Sequence, residues 1–307
     1  MFDRREFMKY GGKLAAIMGL GESFLPGIVD GLEQLDNAQA PVLWLQAQSC
    51  SGCSVSFLNT QDPGPVQVLT KYINLQFHQT ISTATGHVAM DVVHGTVDAG
   101  GYILAVEGSL PMGMPEACIM GHEPVTDIVE KAARNANAVL AIGTCAAHGG
   151  IPAAENNPTG AVSVPAFLKK KGIDTPVISI PGCPSHPDWL VGTIVHVLKF
   201  GLPALDEFGR PDMFFSKLVH DQCPRFADYE REKFASHFSD DGCLFELGCL
   251  GPITHADCTV RYWNGGANTC INAGAPCVGC ASETFAAQSS LSFYLKGVAG
   301  KDQGVRS

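Results

Sequence analysis

Seven of the twelve cysteines in this 307-residue chain fall within residues 223–280. Pro, Gly, Asp and Asn are dense there, and Asp228 to Phe238 is the one clear helix candidate after Phe200. A stretch so poor in periodic apolar sequence cannot build a core of its own, so disulfides or thiol-bound metal must hold it. The other five thiols, Cys50, Cys53, Cys118, Cys145 and Cys183, lie in a longer and more regular part. An even dozen reads as six disulfides in an exported protein, or as sets of metal ligands.

The N-terminus bears on that choice. Asp3-Arg4-Arg5-Glu6-Phe7-Met8-Lys9 precedes a weakly apolar stretch from Leu14 to Val29, and Ala38-Gln39-Ala40 supplies the small residues a signal peptidase reads. A paired Arg before such a stretch is the twin-arginine export pattern, so residues 1–40 are expected to be a signal peptide and the mature protein periplasmic. That route carries proteins already folded around their cofactors, which favours ligation over disulfides. No later window offers 18 uninterrupted apolar residues, and the tail ending in Lys301 to Ser307 is no anchor. The net charge is −10 and the longest basic run is Lys169-Lys170-Lys171, so no nucleic-acid partner is expected. Charged residues make up only 16%, against a usual figure of about 25%, which fits a surface partly covered by another subunit.

From Pro41 to Phe200 short apolar runs alternate with helical patterns. Val42 to Gln46, Tyr102 to Val106, Ala138 to Ile142 and Pro176 to Ile180 read as buried strands. Gly64 to Leu75, Pro124 to Asn135, Pro165 to Lys171 and Pro187 to Phe200 read as helices. Such alternation specifies a parallel α/β sheet. Cys50 and Cys53 follow the first strand, Glu107-Gly108 the second, Gly143-Thr144-Cys145 the third and Pro181-Gly182-Cys183-Pro184 the fourth. In a parallel sheet these ends share one rim, where ligands bind. Four thiols distant in sequence are thus expected to converge there. One zinc or one [4Fe-4S] cluster would satisfy them equally, and spacing does not separate the two.

The downstream segment divides in order. His220, Cys223, Cys243 and Cys249 form one four-donor set, and Cys258, Cys270, Cys277 and Cys280 another. Cys118 is left over and reads as a small buried apolar residue.

These motifs carry a resemblance. Cys50-Ser51-Gly52-Cys53-Ser54, Val106-Glu107-Gly108, Gly143-Thr144-Cys145 through Ile151-Pro152, Pro181 through Trp189, Gly242-Cys243 to Gly251-Pro252 and Pro276-Cys277-Val278-Gly279-Cys280 occur in that order. The chain resembles, over essentially its whole length, the small electron-transfer subunits of nickel–iron hydrogenases. The resemblance implies a flavodoxin-like α/β domain over residues 41–200, then an irregular cluster-binding domain over 201–307. It implies three iron–sulfur clusters: proximal on Cys50, Cys53, Cys145 and Cys183; distal on His220, Cys223, Cys243 and Cys249; medial on Cys258, Cys277 and Cys280. Cys270 stands where the common type has proline and its medial cluster is [3Fe-4S]; a fourth thiolate makes this one [4Fe-4S]. Val55, where the common type has Glu, points with Cys270 to the nickel–iron–selenium branch. Oxygen-tolerant relatives carry two extra cysteines where Gly52 and Gly150 stand, so an ordinary oxygen-sensitive proximal cluster is expected.

The implied reaction is H₂ ⇌ 2H⁺ + 2e⁻, performed on a nickel–iron(–selenium) centre in a separate large subunit, with electrons leaving to a carrier such as a multihaem cytochrome c. No catalytic acid, base or nucleophile is expected in this chain. Glu107 is read as a hydrogen-bonding group at the cluster or interface ahead of a proton relay. His148, His186 and His255 are read as structural or interfacial, and Trp44 and Trp189 as core or interface. Two alternatives stay open: an iron–sulfur subunit of another redox complex with the same α/β core, and a disulfide-rich binding protein of the cell envelope.

Overall fold

Five strands build one parallel sheet: β1 (Ala40–Gln46), β2 (Ile73–Phe77), β3 (Ile103–Glu107), β4 (Ala138–Ile142) and β5 (Val177–Ile180). The computed structural model describes residues 39–154 and 156–286 together with Met18. The expected signal peptide therefore lies outside the described residues apart from Met18, Gln39 and Ala40, as does the tail from residue 287. The strand order is β2-β1-β3-β4-β5, every pairing parallel. This is the flavodoxin-like order, whose switch point lies between β1 and β3.

The strands form because both sheet faces are covered. β3 and β4 are buried at every position, which is why they read as unbroken apolar runs. Side chains alternate between two cores. Val42, Trp44, Ile103, Ala105, Leu140 and Ile142 face one; Leu43, Leu45, Leu104, Val106, Val139 and Ala141 face the other.

The second core lies under α2 (Gly86–Ala99), α3 (Val125–Asn135) and α5 (Val164–Lys170), following the short α1 (Gly52–Leu58). In α3 the buried residues Val125, Ile128, Val129, Ala132 and Ala133 follow the helical repeat on one face. The basic run ends α5, where cations meet the negative end of the helix, and Lys171 Nζ pairs with Glu130 at 2.7 Å.

The first core holds α6 (Pro187–Phe200), reached from β4 through α4 (Gly143–His148) and β5. Pro187 opens α6, His186 Nδ1 accepts from the Asp188 amide at 3.1 Å, and Gly201 follows its end at φ +78°. Its buried Leu190, Val191 and Ile194 each contribute on the order of 1.5–3 kcal/mol. Phe214, Phe215, Val219, Leu244, Ile271 and Ala281 of the cysteine-rich segment join this same core. That segment thus packs onto the sheet layer through α6. Trp189 Nε1 donates to Asp257 at 2.7 Å, and Arg261 pairs with Asp257 and Asp188 across the join.

Two expectations are corrected. The helix expected over Gly64 to Leu75 gives way after Tyr72, where β2 begins. The helix α2 had no sequence reading. The helix expected over Asp228 to Phe238 is instead α7 (Phe226–Glu230), after which Glu232 takes φ +54° and the Ala235 amide donates to the Cys243 carbonyl at 2.9 Å.

Candidate functional site

The rim at the carboxyl ends of the strands gathers the first donor set. Cys50 lies just beyond β1 and Cys53 opens α1; Cys145 sits in α4 directly after β4, and Cys183 follows β5. Burial raises the Cys145 thiol above its ordinary value, with the neighbouring Cys50 and Glu107 adding to it. Burial pushes Cys183 up to about 12, with Cys145, Cys280 and Cys50 contributing. Cys53 is raised first by burial, then by Glu107, and also feels Cys145 and Cys183. The four thiols are therefore electrostatic neighbours. Close approach demands glycine: a Cβ on Gly143, at φ +80°, would stand 2.4 Å from Cys53 Sγ.

The second set lines a cavity of about 390 Å³ on the first-core side. Cys258, Cys270, Cys277 and Cys280 all reach its wall, as does Cys183 of the rim. Burial pushes Cys258 up to about 12, aided by Cys280, Cys270 and Asp257.

His220, Cys223, Cys243 and Cys249 line a third, small cavity with Arg225. α7 delivers Phe226 and Tyr229 edge-on to the His220 ring at 5.1 and 4.6 Å. Arg225 donates to the carbonyls of Asp240 and Gly242 at 2.8 and 2.7 Å, tying the Cys223 turn to the Cys243 turn.

Adjacent sets touch. Cys183 and Cys280 line the same cavity, and the Cys277 amide donates to Cys249 Sγ at 3.3 Å. The Thr144 hydroxyl accepts from Gly182 N at 2.8 Å and donates to the Cys280 carbonyl. Sequence reading missed Thr144, which carries no signal beyond lying beside Cys145.

All twelve cysteines are free thiols. Thiols raised by burial, as Cys53, Cys145 and Cys183 are, are unstable as bare thiolates, and bound iron is what would compensate such charge. Among the described residues no three His, Cys, Asp or Glu converge tightly enough for a single ion. The second and third sets instead surround cavities. The donor chemistry therefore fits iron–sulfur clusters.

The remaining candidate residues lie outside the three donor sets. His186 Nε2 bonds to the Tyr262 carbonyl at 2.7 Å, joining α6 to the cysteine-rich segment. Trp44 and Trp189 are buried. The half-buried Cys118 packs against the second core. His148 lies half-buried against Phe208, and His255 pairs through its backbone with Leu218.

Residues 50–197 match the family model described as NADH ubiquinone oxidoreductase, 20 Kd subunit. Residues 215–293 match the model for the C-terminal part of the NiFe/NiFeSe hydrogenase small subunit. The periplasmic [NiFeSe] hydrogenase small subunit of Desulfomicrobium baculatum is 40% identical, covering 92% of this chain and 95% of the relative. The periplasmic [NiFe] hydrogenase small subunit of Solidesulfovibrio fructosivorans is 39% identical, covering 92% and 90%. The solved [NiFeSe] hydrogenase of Desulfovibrio vulgaris Hildenborough superposes with a TM-score of 0.78 at 43% identity, over 82% of this chain and 96% of that one. The first family match covers only the sheet part, whereas these relatives span the sheet and the cysteine-rich segment together. The chain belongs to the NiFe/NiFeSe hydrogenase small-subunit family.

Proposed function

We propose that this chain holds three [4Fe-4S] clusters: Cys50, Cys53, Cys145 and Cys183 proximal; Cys258, Cys270, Cys277 and Cys280 medial; His220, Cys223, Cys243 and Cys249 distal. The chain is the electron-transfer subunit of a hydrogenase and pairs with a large subunit, where hydrogen is split. Each cluster, when bound, supplies a one-electron site. The observation that carries the reading is the contact between successive donor sets: Cys183 and Cys280 share one cavity wall, and the Cys277 amide donates to Cys249 Sγ. A relay needs the three sets in series, and this contact supports that order. Cys270 lining the same cavity as the other three medial thiols supports a four-iron medial cluster.

The protein's own share is positioning and charge. Burial keeps water from Cys277, and its amide stabilises sulfur charge on Cys249 at that junction. At the far end, His220 is a neutral donor among three thiolates, so it favours release of an electron outward. The chain around it, residues 217–246, carries Asp221, Asp228, Glu230, Glu232, Asp240, Asp241 and Glu246 against Lys217, Arg225, Arg231 and Lys233. An electron carrier with a basic face, such as a multihaem cytochrome c, complements that charge.

We read residues 1–40 as a twin-arginine signal, 41–200 and 201–307 as the two domains, and the mature complex as periplasmic. Relatives bear periplasmic names, and among the described residues no helix is long and apolar enough to cross a membrane. Cys270 and Val55 favour the nickel–iron–selenium branch.

Hydrogen should reduce a multihaem cytochrome c when the complex is purified anaerobically with its large subunit. Full iron content with no hydrogen-dependent reduction of any dye would return the chain to another redox complex.

A further inference from the structure

Glu107 ends β3 at the switch point of the sheet, 2% exposed. Six donors converge on its carboxylate. Oε2 accepts from Trp44 Nε1 at 3.2 Å, Gln46 Nε2 at 3.3 Å and the Ser54 hydroxyl. Oε1 accepts from Cys53 N at 3.1 Å, Ser54 N at 3.4 Å and Ser49 Oγ at 3.3 Å. None of the six donors is a cationic side chain.

The direction of each bond follows from the neighbours. His78 Nδ1 accepts from Thr80 N at 3.1 Å, so its proton sits on Nε2 and points at Ser54 Oγ, 3.0 Å away. Ser54 Oγ also accepts from Gln46 Nε2 at 2.9 Å, which leaves its own proton for Glu107. Ser49 Oγ accepts from Ser51 N at 2.9 Å and likewise turns its proton to Glu107. A carboxylate offers about four lone-pair sites. With three donors on each oxygen, the carboxylate is filled as an acceptor and held in a buried pocket.

That anion lies against the first donor set through the Cys53 amide, and it bears on the Cys53 and Cys145 thiols alongside burial. A fixed negative charge beside a redox centre disfavours adding an electron to it, and in a buried site that effect is weakly screened. We propose that Glu107 is a positioning residue whose fixed charge, locked by Trp44, Gln46, Ser49 and Ser54, holds the proximal cluster at low reduction potential. The saturated carboxylate is thereby a charge element and not a proton relay. This rests on the assignment of Cys50, Cys53, Cys145 and Cys183 as cluster ligands.

The test is a redox titration of the anaerobically purified two-subunit holoenzyme, followed by electron paramagnetic resonance, in the wild type, Glu107→Gln and Glu107→Asp. In Glu107→Gln the reduction equilibrium constant of the proximal cluster should rise about tenfold, which for a one-electron couple is about 59 mV upward. The other two clusters should not move. Glu107→Asp keeps the charge and should stay within about twofold of wild type. An unmoved proximal cluster in Glu107→Gln, or a tenfold rise in Glu107→Asp, would overturn the proposal. So would loss of the proximal cluster in both variants, because the residue would then act through the fold alone. A wild-type protein that shows no proximal cluster refutes the ligand assignment itself, before any variant is compared.

Discussion

The Cys277 amide donates to Cys249 Sγ at 3.3 Å, while the Leu250 amide returns a bond to the Cys277 carbonyl at 2.8 Å. Two donor sets are thus stitched together through the backbone. At the other junction the Thr144 hydroxyl plays the same part between Gly182 and Cys280.

Thr144→Val keeps the shape but strips both bonds, leaving the Gly182 amide and Cys280 carbonyl short of a partner. The cost should be about 1–3 kcal/mol, read as a lower Tm in anaerobic melts. Thr144→Ser should restore it. A Val variant as stable as wild type would show that the clamp is idle.

Cys270→Pro should turn the medial cluster into a three-iron form. Iron per chain should fall by about one, and the spectrum of a [3Fe-4S] centre should appear. Among the described residues the Cys270 amide donates to no backbone carbonyl, so proline breaks no main-chain hydrogen bond there. Unchanged iron and an unchanged spectrum would remove Cys270 from the ligand set.

Gly150 takes φ +54°, and a Cβ there would stand 2.9 Å from the Cys145 Cα and amide and 3.0 Å from its Sγ. Gly150→Ala should cost about 1–3 kcal/mol and reduce proximal iron. With glycine at both 52 and 150, hydrogen uptake should fall on exposure to air. Full activity in air would contradict a plain four-cysteine proximal cluster.

Burial lowers His78 to about 4, against an ordinary value of 6.5, with Glu107 partly opposing it. Above pH 6.5 the folded and unfolded chains both hold it neutral, and stability is flat. As pH falls from 6.5 towards 4, only the unfolded chain takes up the proton, so stability is lost, by about 2 kcal/mol at about pH 5. Anaerobic melts at about pH 7 and about pH 5 should show the drop, and His78→Gln should make it shallower. An equal slope in the variant would assign the loss elsewhere.

The strands that were legible are those buried on both faces, since Val42 to Gln46 and Ala138 to Ile142 are nearly unbroken apolar runs. β2 was not, because Asn74 and Gln76 interrupt Ile73, Leu75 and Phe77 and make the run look like the tail of the preceding helix. α2 was hidden by Gly86, Gly95 and its many β-branched residues, which weaken helix propensity. The helix over Asp228 to Phe238 was over-read because Tyr229 and Phe234 look like an apolar helical face. In the fold they pack around His220 and Phe245 instead. The thiols declare themselves through order and spacing. The Glu107 pocket does not, because Gln46, Ser54 and His78 meet only once the sheet is assembled, and His78 follows the one strand left unread.

The central claim, three four-iron clusters in this chain, is tested most directly by iron and acid-labile sulfide per chain after anaerobic purification with the large subunit. About twelve sulfides and about twelve irons are expected from this chain, plus about one from the partner's nickel–iron centre. Near-zero iron in protein never exposed to oxygen would contradict it.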